Sequence, residues 1–194
     1  MPVDRPDRSR VRSTGTDGER LPGASGTATP GASATRLLSE LDAAFADRAL
    51  PERLHGPTMD VPDDVAEVEA FEHLDRSGLD CAHLERHPWA ISLFSPDAFL
   101  HFLPRILAAG VREHRTDLLV QDFIVSELDR SPSPERWDDH FASRWTRLSR
   151  RECEAVQAWL LWMAEAGWTP RFESTFDRAF DTLSLLADAA DAPD

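Results

Sequence analysis

The sequence predicts an all-α protein: a single bundle of about six to seven helices behind a disordered N-terminal leader. Three observations predict it. Leucine occurs 22 times, against 12 for valine and isoleucine together. Apolar residues recur three and four positions apart through most of the chain, the spacing of one helix face. No stretch alternates apolar and polar residues over a strand length between hairpin turns.

Residues 1–34 stand apart. They mix Pro, Gly, Ser and Thr with almost no large apolar side chain, and their five arginines face four acids. Such a segment buries too little to offset chain entropy, so a disordered leader is expected. The helical domain is expected over residues 35–187, with a flexible end at 188–194.

The first helix is expected near 35–48, capped by Thr35, with Leu37, Leu38, Leu41, Ala44 and Phe45 as its apolar stripe. A loop rich in Pro and Gly follows. A short acidic helix is expected near 63–75, with Val65, Val68 and Phe71 spaced by three. Another short piece near 80–87 leads into "HPWAISLF".

"SPDAFLHFLPRIL", residues 95–107, opens with three helix-start signals. Ser95 suits the N-cap, Pro96 the first helical position, and Asp97 the positive end of the dipole. Phe99, Phe102, Leu103, Ile106 and Leu107 form one face. Asp97, His101, Arg105 and Arg112 form the other, read as a solvated polar face. Pro104 removes one amide hydrogen, yet the stripe continues in register beyond it. A bent helix that does not stop is expected.

Thr116 and Asp117 are expected to open the next helix, and Ser133-Pro134 another, with Trp137, Phe141, Trp145 and Leu148 at core spacing. "SRRE", residues 149–152, is a capping-box pattern, and Gly167 a C-terminal stop. Thr169 and Pro170 are expected to begin the last helix, carrying Phe172, Phe176, Phe180, Leu183 and Leu186.

The net charge is −14, and every one of the 21 cations is arginine. Lysine, asparagine and tyrosine are absent, which points to a biased coding composition of a bacterial kind. The acidic balance argues against nucleic acid and against anionic membrane surfaces as partners. No apolar run approaches the roughly 18 residues of a membrane span. Two cysteines far apart provide no disulfide framework. A cytoplasmic location is expected.

Four groups of residues could carry chemistry. Cys81, His83 and His87 have metal-like spacing, with the two histidines one helical turn apart. Set against this, Pro88 biases His87 away from helix, and no second ligand pair matches. No metal or other cofactor is expected. Asp97, His101 and Arg105 form a row in which a carboxylate could orient an imidazole. Glu127 falls on an apolar face and needs a partner, for which Arg105 or Arg144 are candidates. Trp159 and Trp162 cannot both centre one stripe, so one is expected to be partly exposed: Trp162, on the flank, is the candidate interface anchor, with half-buried packing as the alternative. Asp138, Asp139 and His140 in "WDDHF" read as ordinary first-turn acids.

The run "LFSPDAFLHFLPRIL" resembles the signature of an uncharacterised family of small bacterial proteins, a domain of unknown function. It carries a Ser/Thr-Pro-acid-Ala-Phe segment, here Ser95 to Phe99, and an aromatic-Leu-Pro segment, here Phe102 to Pro104. "LLVQDFIV" and "LSRRECEAVQAWLLWM" occupy comparable places, so the resemblance spans roughly residues 36–166. It implies a compact helical domain and no catalytic residues.

The expected function is therefore non-enzymatic: a small binding or accessory protein acting through a helical surface on a partner more basic than acidic. The alternative is a metal-dependent or hydrolase-like enzyme built on the histidines. No catalytic residue, substrate or oligomeric state is legible.

Overall fold

A computed structural model describes residues 30–56, 59, 61–74, 78–169 and 173–191. Among these the protein is all-α, with nine α-helices, one 3-10 turn and no strand. The helices are α1 (Pro30–Ala44), α2 (Pro62–Glu69), α3 (Cys81–Arg86), α4 (Ala90–Leu93) and α5 (Pro96–Glu113). Then come α6 (Leu119–Leu128), the 3-10 turn (Pro134–Arg136), α7 (Asp139–Trp145), α8 (Arg150–Glu165) and α9 (Glu173–Ala190). Most of the leader, residues 1–29, lies outside the described residues. So do the proposed start of the last helix at Pro170 and the final residues 192–194.

α5 is the axis of the bundle. It packs against α1, α3, α4 and α7, and 13 of its 18 residues are buried. α8 lies between α1 and α9, and α9 also packs on α6. The core joins these helices through large side chains, with Trp145, Trp159, Phe71, Phe94, Phe99, Phe102 and Phe141 all fully buried. Phe71, Phe94 and Phe102 meet within 5.1–5.4 Å between ring centroids.

The caps follow the sequence at several ends. The Ser95 hydroxyl accepts from the Ala98 amide (3.3 Å), and α5 runs through Pro104 as one 18-residue helix. Ser149 accepts from the Glu152 amide while Glu152 accepts from the Ser149 amide, closing the capping box of α8. Gly167 takes φ of +92° after α8, in the left-handed region that favours glycine.

Other ends differ from expectation, each for a local reason. α1 begins at Pro30, so residues 30–34 belong to the fold and Ala34 to its core. Thr35 is inside the helix, its hydroxyl bonded back to the Gly31 carbonyl (2.7 Å), and is not the cap. α6 starts at Leu119 because Asp117 is held by the Arg115 guanidinium (2.6 Å) outside the helix. Pro134 starts only a 3-10 turn, and Asp138 is the true cap of α7. Helix α9 runs to Ala190, three residues into the expected flexible end.

Asp138 works twice. Its Oδ1 accepts from the Phe141 amide (2.8 Å) and its Oδ2 from Arg130 Nη1 (2.8 Å). The Phe141 amide, with the charges of Arg130 and His140, holds the carboxyl below its ordinary range. Its contribution is therefore present above the unfolded value of about 3.9 and is lost as pH falls through the lower folded value. Asp138→Ala is expected to cost about 1 kcal/mol in urea denaturation at pH 7, whereas Asp138→Asn, an equally good cap, should keep most of it. Equal losses in the two variants would show that the charge, not the cap, matters.

Candidate functional site

The described surface carries few large exposed apolar side chains, and two of them line the same cleft. Trp89 is 54% exposed and Leu119 48% exposed. The cleft, of about 680 Å³, lies where the start of α4 meets α6, α9 and the chain that follows α6. Phe123 and Trp168, both half-buried, complete its apolar wall.

Both tryptophans of the wall are held by carboxylates. Trp89 precedes α4, and its amide donates to Glu67 Oε1 on α2 (3.2 Å). Glu67 Oε2 holds His87 Nδ1 (3.1 Å), so one carboxylate pins the whole His87-Pro88-Trp89 turn. Trp168 donates its indole N–H to Asp122 Oδ1 on α6 (3.0 Å). Leu119 sits in the first turn of α6, where Asp122 and Ser126 follow it on the exposed side.

The two arginines in the cleft are already neutralised. Arg178 Nε lies 2.5 Å from Asp129 Oδ1, and its Nη2 donates to Asp129 Oδ2 (2.7 Å). Arg130 donates to the Glu127 carbonyl (2.7 Å) and to Asp138 (2.8 Å), and lies 4.8 Å from the centre of the Phe141 ring. An anionic ligand meets no unpaired cation among these groups. The cleft offers aromatic faces edged by Asp122 and Asp129.

The groups singled out from sequence are scattered. Asp97 pairs with Arg147 (2.5 Å) at the surface. His101 is 6% exposed, and its Nδ1 bonds the Arg48 carbonyl (3.0 Å), so the solvated-face reading fails for it. α5 is buried over most of its length, and the chain that follows α1 reaches this part of it at Arg48. Arg105 donates to the His101 carbonyl (2.8 Å).

Glu127 is buried, its carboxylate meets Trp145 and His140, and Arg144 is close enough to feel its charge. Trp145 Nε1 donates to its Oε2 (3.1 Å), and His140 Nδ1 lies 3.4 Å from its Oε1. Arg144 instead spends its guanidinium on three backbone carbonyls, of Ile91, Ser92 and Phe94. His140 Nε2 is 3.3 Å from the Ser92 carbonyl. The Ser143 hydroxyl donates to the His140 carbonyl (3.0 Å) and the Ser92 hydroxyl to the Trp89 carbonyl (2.7 Å). Among the described residues both hydroxyls thus donate to backbone carbonyls and not to the His140 ring.

Trp162 is 6% exposed, so the expected surface anchor is in the core. α8 is clasped by α1 on one side and α9 on another, which widens its buried arc beyond one stripe and takes in both Trp159 and Trp162. The exposed tryptophan is Trp89. No periodicity could have singled it out, because it stands at the turn before a four-residue helix.

Cys81 and Cys153 are both buried and outside any disulfide. Burial, aided by neighbouring glutamates, pushes each thiol up to about 12, which leaves neither reactive near neutral pH. His83 is 7% exposed, and burial, with the nearby His87 and Arg86 charges, lowers its pKa. Among the described residues no group of three or more His, Cys, Asp or Glu is placed to hold a metal ion, and no helix is long and apolar enough to cross a membrane. No family model, curated protein or solved structure matches the chain.

Proposed function

We propose that this protein is a non-enzymatic cytoplasmic binding protein whose α4/α6/α9 cleft receives a basic, amphipathic segment of a partner protein. The observation that carries the reading is the placement of Trp89 and Leu119. Both expose about half of their surface, and both do so into one preformed cleft. Such side chains serve as anchors when a partner covers them. Aromatic faces beside the Asp122 carboxylate, which accepts from the neutral Trp168 indole while Asp129 is paired with Arg178, suit an apolar ridge flanked by arginine or lysine, and the chain's net charge of −14 favours encounter with cations. The enzymatic alternative has less support, since the buried Glu127 carboxylate is engaged by Trp145 and by the exposed His140. The family resemblance carried by residues 95–104 belongs to this proposal on sequence grounds alone.

The test is selection from a displayed library of helical peptides on the wild-type protein, with recovered peptides measured by fluorescence anisotropy. Amphipathic sequences bearing arginine or lysine should be enriched. Trp89→Ala and Leu119→Ser should each weaken them at least about tenfold while changing stability by no more than about 0.5 kcal/mol, as for ordinary surface positions. Acidic peptides winning the selection, or peptides that bind the two variants as tightly as wild type, would refute the reading.

A further inference from the structure

We propose that His83 and His87 form a two-imidazole binding site for a borderline divalent cation of the zinc or copper class. Three separate features support it, and none depends on the cleft. The first is spacing. The two histidines are one turn apart on α3 and its C-cap, with ring centroids 4.8 Å apart and planes inclined by 41°. Two imidazoles that share one zinc at about 2.0–2.1 Å per nitrogen place their ring centres about 5 Å apart.

The second is an unsatisfied donor set. His83 Nε2 is buried with no hydrogen-bond partner. A buried ring nitrogen without a partner is unusual and asks for an explanation, and a bound ion would supply one.

The third is outer support. Glu67 Oε2 lies 3.1 Å from His87 Nδ1, the arrangement in which a carboxylate fixes the tautomer and leaves the other ring nitrogen to a metal. Phe71 packs edge-on against both rings, at 4.6 and 6.2 Å, and gives the pair an apolar wall. Cys81, fully buried at the start of α3, is not part of the proposed pair. The chelate thus has two protein ligands, with water or an exogenous ligand completing the coordination sphere.

The experiment uses untagged full-length protein in a non-coordinating buffer, titrated with ZnCl2 and CuSO4 by calorimetry, with MgCl2 as the hard-ion control. Thermal melts are recorded alongside. Zinc or copper should bind with one-to-one stoichiometry and raise Tm by several degrees, and magnesium should do neither. His83→Gln and His87→Gln should each lower affinity at least tenfold. Glu67→Gln, which keeps both ligands, should lower it by about tenfold or more, the range typical of outer-sphere partners. Circular dichroism of each metal-free variant establishes that it is folded. If His83→Gln does not fold, Glu67→Gln and His87→Gln decide the matter. No heat of binding, or binding that survives the histidine and Glu67 substitutions, would overturn the site.

Discussion

Arg144→Met is expected to be among the most destabilising single substitutions in this protein, at about 3–5 kcal/mol. Arg144 is 4% exposed, and its guanidinium donates to the Ile91 carbonyl (3.1 Å), the Ser92 carbonyl (2.8 Å) and the Phe94 carbonyl (2.6 Å). Those three carbonyls end the four-residue helix α4, which is too short to satisfy them itself. The guanidinium also lies 5.5 Å from the centre of the Phe99 ring, which ties α7 and α4 to the central helix. Replacing a whole buried ion pair with apolar residues is often harmless, because both polar groups leave together. Here the acceptors are backbone and cannot be removed. Methionine fills similar volume but strands the Ile91 and Phe94 carbonyls, each worth about 1–3 kcal/mol when left unpaired, and leaves the Ser92 carbonyl to His140 Nε2 alone. Arg144→Lys should fall between, since one ammonium cannot span the same fork. Urea denaturation with an unchanged m-value is the measurement. A methionine variant as stable as wild type would mean that water replaces the guanidinium.

Burial lowers the pKa of Arg144, with Glu127 acting the other way. Desolvation is therefore the larger effect on this side chain, and its three carbonyl bonds are what make the buried charge tolerable.

Gly110→Ala is expected to destabilise by about 2 kcal/mol, although helix propensity alone predicts a gain of about 1 kcal/mol. Gly110 lies in α5, where a mid-helix glycine is a weak position. A Cβ built there would meet Gln121 Nε2 at 2.2 Å and the Arg115 carbonyl oxygen at 3.0 Å. Gln121 cannot step aside freely. It is fully buried, its Nε2 donates to the Arg115 carbonyl (2.9 Å), and its Oε1 accepts from the Leu118 amide (3.2 Å). The glutamine thus fastens the turn between α5 and α6, and the added methyl group would break both bonds. A double-mutant cycle with Gln121→Ala separates the causes: the alanine at 110 should cost much less once Gln121 is gone. If Gly110→Ala raises Tm instead, the close approach is not rigid.

These two residues also show how far sequence reasoning reaches. The helical periods, the Ser95 and Ser149 caps, the continuation of α5 through Pro104 and the stop at Gly167 were all readable, because each depends on residues within one or two turns. The ion pair of Arg48 with Glu152 joins residues 104 apart (2.6 Å), and nothing local announces it. Gly110 reads as a flaw until Gln121 is seen against it. Among the chemistry-bearing groups, the spacing of His83 and His87 was legible, but the unpartnered buried nitrogen and Glu67 beside them were not.

The cleft was the least legible feature. Trp162 sits on a strong helical pattern and is buried, whereas Trp89 sits on almost none and is exposed. Helical spacing reports that a helix has an apolar side. It does not report how many neighbours will share that side. His101 and Trp162 both changed sides for this reason, one against the chain that follows α1 and the other between two partners of α8.

The sequence by itself determined the helical class, most helix bodies and several of their ends, because hydrogen bonds and caps one turn away are encoded in adjacent residues. Tertiary structure alone decided which polar groups were buried together, which tryptophan faced solvent and where the cleft opened. Those outcomes depend on distant helices meeting, and on the accessible surface their packing removes or leaves, which no local pattern records.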